Sequence, residues 1–141
     1  MKILSEYDSQ LVDAFWMTIK LTFFSALGAL VIGTVLAAMR VSPVPIARWI
    51  ATGYVTIFRN TPLTLVIIFA SFGLYQTLGV TLAADDSPTF LVDNNIRLAI
   101  LGLSVYTAAF VCESIRSGIN TVNGGQAEAG RSLGLTFSQN L

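Results

Sequence analysis

With 141 residues, 54% of them hydrophobic and only 11% charged, the chain lacks the charge to cover a water-facing surface, for which soluble domains use about 25%. Mean hydropathy is +0.71, and eight basic against eight acidic residues leave no net charge, which argues against a nucleic-acid binder. Histidine is absent and Cys112 is the single cysteine, so neither a disulfide framework nor a Cys/His metal site is available. Cys112 reads as a small apolar packing residue. No cofactor, resident metal or catalytic residue is expected.

Glu6, Asp8 and Asp13 precede the first apolar run, where a signal peptide would be basic, and Leu36-Ala37-Ala38-Met39 is a poor cleavage site. The first run is therefore expected to be a retained span. Residues 21–39, 60–84 and 98–112 carry no charge, and a membrane helix needs about 20 mainly apolar residues. Three spans follow, at about 14–39, 62–82 and 97–119. The third reaches full length only by continuing through Glu113 and Arg116 toward Ile119. The fold class is all-α, a polytopic membrane protein.

In span 1, Lys20 is expected to snorkel to the interface. Ser25, Ala29, Gly33 and Ala37 fall four apart, a stripe on which another helix can approach closely. Pro43 and Pro45, followed by Ile46, Trp49, Ile50, Tyr54 and Ile57, read as a turn and an interfacial helix. Span 2 opens at Arg59-Asn60-Thr61-Pro62, with Asn60 or Thr61 expected as cap and Pro62 in the first turn. It is expected to run to about Leu78, with Gly79 ending it. At α-helical spacing Thr64, Ser71 and Tyr75 share a face. They either line a pathway or, for the hydroxyls, bond back to their own helix.

Asp85, Asp86, Pro88 and Asp93-Asn94-Asn95 form the next connection, with Asp93 or Asn94 expected to cap span 3. Arg40, Arg48 and Arg59 lie before span 2, and Arg116 and Arg131 lie at or after the end of span 3. Basic flanks mark the cytoplasm, so an extracytoplasmic N-terminus is expected. Glu113 and Arg116, spaced i, i+3, read as a structural pair near the interface rather than a substrate contact. Beyond them Asn123-Gly124-Gly125 breaks the chain, and Gln126 to Leu133 has helical propensity, interrupted by Gly130 and closed by Gly134. Chemistry alone predicts a short cytoplasmic helix there. Gly124-Gly125 reads as a turn, and the chain has no phosphate loop.

Three elements in this order resemble the permease subunits of bacterial polar amino-acid ABC importers. Glu128-Ala129-Gly130, three residues, then Gly134 is similar to the coupling loop, with Gly130 in place of an alanine. Arg59-Asn60-Thr61-Pro62 is similar to an Arg-Gly-Thr-Pro element, and Glu113 to Ile119 to the family's segment at the end of span 3. The runs Phe90 to Asn95 and Gly118 to Val122 resemble actinobacterial glutamate uptake permeases. The resemblance implies a type I importer core in the bacterial plasma membrane that uses alternating access. Its partners would be an ATP-binding subunit, a second permease subunit and an extracytoplasmic amino-acid-binding protein. Gln126, Ala127, Glu128, Ala129 and Arg131 would dock the ATPase, with Gly134 as the turn, while Arg59, Pro62, Glu113 and Arg116 would be structural. The family continues with two further spans, so a chain stopping at Leu141 is expected to be a fragment or a truncated product. The rival reading is a non-transporting scaffold that binds an ATPase or permease partner. An intramembrane enzyme is disfavoured by the lack of histidine and of paired carboxylates within the spans. A small exporter is disfavoured by the lack of a carboxylate in the middle of span 1.

Overall fold

The computed structural model describes residues 8–84 and 88–136. Glu6, the Asp85-Asp86 pair, the tail from Phe137 and the side chain of Ala127 lie outside the described part. Helix α1 spans Asp8–Val41, α2 Pro45–Arg59 and α3 Leu63–Ile68. A π-helical segment, Phe69–Thr77, continues α3, and α4 (Phe90–Thr121) and α5 (Gly124–Ser132) complete the chain. No strand occurs among the described residues.

Helix α1 starts more than a turn before the expected start at about residue 14, and its 34 residues make it ~51 Å long, well beyond the ~30 Å hydrocarbon core of a bilayer. Phe23, Phe24, Leu27, Leu30, Val31 and Val35 are all exposed. A helix apolar all round belongs in a membrane or a large core. Its buried side is the small-residue stripe: Ser25, Ala29, Gly33 and Ala37 are buried, with Leu36 beside them. Helix α4 answers with Ser104, Ala108 and Cys112, also four apart and buried. A Cβ on Gly33 would stand 2.6 Å from Val111 Cβ and 2.9 Å from the Ala108 carbonyl oxygen, so the backbones meet with no room for a side chain. Gly28 faces Ser104, Gly33 faces Ala108, and Arg40 faces Glu113. The numbering rises together, so α1 and α4 run parallel and their C-terminal ends lie side by side. The Ser104 hydroxyl donates back to the Ile100 carbonyl at 2.7 Å, and Ser25 likewise to Leu21, so burial leaves neither unsatisfied.

Helix α2 closes the core. Ala51 and Val55 pack with Leu36, Ala37, Ala108, Ala109 and Cys112, which gives Cys112 the packing role expected of it. The Tyr54 hydroxyl donates to the Val105 carbonyl at 2.6 Å and ties α2 to α4. The opposite face exposes Ile46, Trp49, Ile50 and Ile57. Arg48, Thr52 and Thr56 follow each other at i, i+4 along a polar edge. This amphipathic character fits a helix lying at the membrane surface. A bend of 103° separates α2 from Leu63–Thr77. Helices α1 and α4 are each long and apolar enough to cross a membrane, and the bent pair makes a third crossing if taken as one broken span.

Two expected caps are corrected. Asn60 and Thr61 do not cap span 2; Asn60 donates to the Thr56 carbonyl at 2.8 Å and Thr61 to Ile57 at 2.8 Å, so both finish α2. Pro62 itself is the N-cap residue, with φ −61° and an extended ψ of 138°; the ring fixes the φ, and its missing N–H costs nothing at a helix start. Nor do Asp93 or Asn94 cap α4, which begins at Phe90 after Thr89. Asp93 lies in the first turn, where its charge suits the helix dipole and its carboxylate accepts from the Thr89 hydroxyl at 2.7 Å. Asn94 is fully buried. Its Oδ1 accepts from the Leu82 and Ala83 amides at 2.7 and 3.3 Å, while Arg97 donates to the Leu82 carbonyl. Together they pin the extended 80–83 segment to α4. Gly79 stops the π segment as expected, at a φ of 67° that favours glycine.

Candidate functional site

Two places on the fold concentrate polar function. The first is the junction where the C-terminal ends of α1 and α2 meet α4. Glu113 Oε1 accepts from Arg40, Arg116 Nε donates to Oε2 at 3.2 Å, and Arg59 stands 3.7 Å from Oε1. The expected i, i+3 pair is therefore one arm of a four-residue cluster that fastens three helices together. Arg40 keeps 14% of its side chain exposed and Glu113 24%; charges this far from water depend on each other. Arg59 also lies 6.0 Å from the Phe110 ring centroid, at the edge of cation–π range. Sequence reading assigned Arg40 to topology alone. The missing signal was the parallel pairing of α1 and α4, which brings position 40 beside position 113. Pro62, expected to be structural with Arg59, sets the elbow one step beyond this cluster.

The second place is α5. Its N-cap Asn123 accepts from the Gly125 amide at 3.2 Å, satisfying one orphan donor of the first turn. The helix continues through Gly130 to Ser132 despite the glycine's cost of ~1 kcal/mol relative to alanine. It ends on Gly134, whose φ is 78°. Leu135 N donates to Gly130 O at 3.1 Å and Gly134 N to Arg131 O at 3.0 Å, the paired bonds of a Schellman motif. Gln126, Glu128, Ala129 and Arg131 are exposed, and none of the described helices packs extensively against α5. Only Val122 and Asn123 separate it from α4.

The pathway candidates are arranged differently from expectation. The π segment pairs Leu78 N with Gly73 O at 3.1 Å, an i to i−5 bond, and such wider turns recur at functional sites. The change of period at Phe69 interrupts the α-helical spacing that would align Thr64 with Ser71 and Tyr75. Thr64 is exposed, whereas Ser71 and Tyr75 are half-buried. The Tyr75 ring packs edge-on to Phe90, with centroids 6.1 Å apart. Among the described residues the Thr64 and Ser71 hydroxyls make no hydrogen bond, unlike those of Thr18, Thr34 and Ser114, which bond back to their own helices.

The described fold is thus a set of membrane-length helices joined through a charge cluster, with a short helix directly behind the last of them. The chain belongs to the family of binding-protein-dependent transport system inner membrane components, whose profile matches residues 29–141. It is 67% identical over 128 residues to the glutamate transport system permease protein GluC of Corynebacterium efficiens, covering 91% of this chain and 56% of that protein. The Corynebacterium glutamicum protein of the same name is 65% identical over 127 residues, covering 90% and 56%. The arginine transport system permease protein ArgU of C. glutamicum is 36% identical over 137 residues, covering 96% and 43%. A crystal structure of an amino acid ABC transporter with histidines matches with a TM-score of 0.77 and 29% identity, over 97% of this chain and 58% of that one. The chain thus spans about half the length of the curated relatives it matches. The all-α permease fold and the family resemblance read from the three sequence elements are both correct.

Proposed function

We propose that this chain forms part of the translocation pathway of an ATP-driven glutamate importer and docks the ATP-binding subunit through α5. The observation that carries the proposal is the free, doubly capped α5 joined to α4 by two residues, in a chain 67% identical to a glutamate transport permease. In this reading Gln126, Ala127, Glu128, Ala129 and Arg131 meet the ATPase and Gly134 makes the exit turn. A second permease subunit completes the pathway, and an extracytoplasmic binding protein delivers the amino acid. The N-terminus of α1 is extracytoplasmic and the Arg40–Arg59–Arg116 end of the bundle is cytoplasmic, a reading the basic flanks support.

The mechanism is mechanical. ATP-driven closure of the partner moves α5, α5 moves α4, and the Glu113 cluster makes α1 and α2 follow as one body. Thr64, Ser71 and Tyr75, on the segment beyond the 103° bend, are where such a rigid-body shift would alter access. Uptake of labelled glutamate tests this. In cells lacking their own glutamate permease, a GluC permease that carries this chain in place of its matching segment is expected, with its full partner set, to restore uptake that unlabelled glutamate competes away and Glu128→Lys abolishes. ATPase binding without any energy-dependent uptake would instead support the non-transporting scaffold.

A further inference from the structure

We propose that the cleft at the cytoplasmic ends of α1 and α2, against the flank of α4, binds a phosphate-bearing anion, supplied by an anionic phospholipid headgroup. The proposal extends the family assignment and does not depend on glutamate being the cargo. The cleft has a volume of about 270 Å³ and is lined by Arg40, Val55, Thr56, Arg59, Asn60 and Glu113. Arg116 joins the same carboxylate from the next turn of α4.

The charge does not balance. Three guanidiniums face Glu113, and among the described residues no other carboxylate pairs with any of them. Each guanidinium offers five N–H donors, yet Arg40 and Arg116 each place one hydrogen bond on Glu113. Arg59, at 3.7 Å, is beyond hydrogen-bond reach of the carboxylate. Each Glu113 oxygen already accepts one bond, and the remaining donors of the two exposed arginines are open to an acceptor from outside the cluster. Arg59 keeps 50% of its side chain exposed and Arg116 38%, so both can reach an incoming group. A phosphate supplies two oxygens to a guanidinium fork, the geometry arginine matches best. Exposed Ile46, Trp49, Ile50 and Ile57 on α2 set the depth of the cleft at a bilayer surface, where basic pockets between membrane helices collect lipid phosphates.

Lipid retention by the chain in nanodiscs tests the site. The discs would be phosphatidylcholine with a minority of phosphatidylglycerol in both leaflets, so the result does not depend on orientation. Co-retained phosphatidylglycerol is counted by native mass spectrometry. Arg59→Gln and Arg116→Gln are each expected to lower its enrichment roughly tenfold, the equivalent of the ~1.5 kcal/mol at the low end for a hydrogen bond to a charged group. Arg48→Gln removes the same charge from α2 outside the cleft and is expected to leave enrichment unchanged. Equal loss in Arg48→Gln would mean diffuse surface charge and would overturn the site, as would undiminished enrichment in both cleft variants. In discs of phosphatidylcholine alone, soluble glycerol 3-phosphate is the second arm, read by protection of Arg59 from phenylglyoxal. Protection equal to that given by phosphatidylglycerol would overturn the lipid as the source; protection only by the lipid supports it.

Discussion

Replacing Glu113 by alanine is expected to cost roughly 2–4 kcal/mol of stability, toward the lower part of the range for breaking a buried ion pair. The loss arises because Arg40, with 14% of its side chain exposed, has no other carboxylate to turn to among the described residues. Glu113 keeps 24% of its side chain exposed, and that solvent access holds the figure below the upper limit. Removing both partners behaves differently, since Arg40 is the least exposed of the three guanidiniums, whereas Arg59 and Arg116 keep 50% and 38% of their side chains exposed and can turn to water. Arg40→Met with Glu113→Met is therefore expected to recover most of the lost thermal stability in detergent. A double variant as unstable as the sum of its singles would contradict the clamp. Transport would suffer even where folding recovers, because the end of α1 would no longer follow α4.

Gly33→Leu is expected to destroy the α1–α4 interface. The position where a Cβ would sit is already 2.6 Å from Val111 Cβ and 2.9 Å from a backbone oxygen, and a helix backbone cannot yield locally as a side-chain tip can. Overpacking of this kind costs about 3 kcal/mol or more. Gly53 provides the comparison, since nothing lies within 4 Å of its Cβ position. Gly53→Leu is expected to leave a monodisperse protein, and Gly33→Leu an aggregated one, on size-exclusion chromatography. Equal behaviour of the two would show that the small-residue stripe is not the packing surface.

That stripe is also the part of the fold most legible in the sequence. Ser25, Ala29, Gly33 and Ala37 repeat at helical spacing within an uncharged run, and the physics that makes small residues useful between membrane helices leaves few other readings. Gly79 and Gly134 are legible for a different reason: each stands just beyond the C-cap of its helix, and each takes the positive φ that glycine adopts without strain. Asn60 and Thr61 were misread because cap residues look alike from both sides. With only three residues between α2 and α3, their side chains could serve either helix, and tertiary bending decided for the first. Asn94 was misread as a cap because Asn-Asn after a turn suggests a helix start. Its full burial inside α4 comes from the segment folded over it, a contact no local pattern encodes. The π segment leaves no mark in an apolar run, so the face shared by Thr64, Ser71 and Tyr75 was drawn with the wrong period. In the charge cluster, Glu113 and Arg116 are local partners and were visible; Arg40 and Arg59 arrive from 73 and 54 positions away.

Helix α5 was legible as a short capped helix from chemistry, and as a docking element only from its order behind the other two motifs. Its role is the central claim, and co-purification tests it most directly. The tagged chain is purified from membranes that contain the ATP-binding subunit, and the retained ATPase is quantified for the parent, for Glu128→Lys and for Lys20→Gln. Reversing a charge within a docking surface costs several kcal/mol. Glu128→Lys is expected to lower retention by at least about tenfold, while Lys20→Gln, on the exposed side of α1, leaves it intact. Full retention by Glu128→Lys would place the ATPase contact elsewhere and contradict the account.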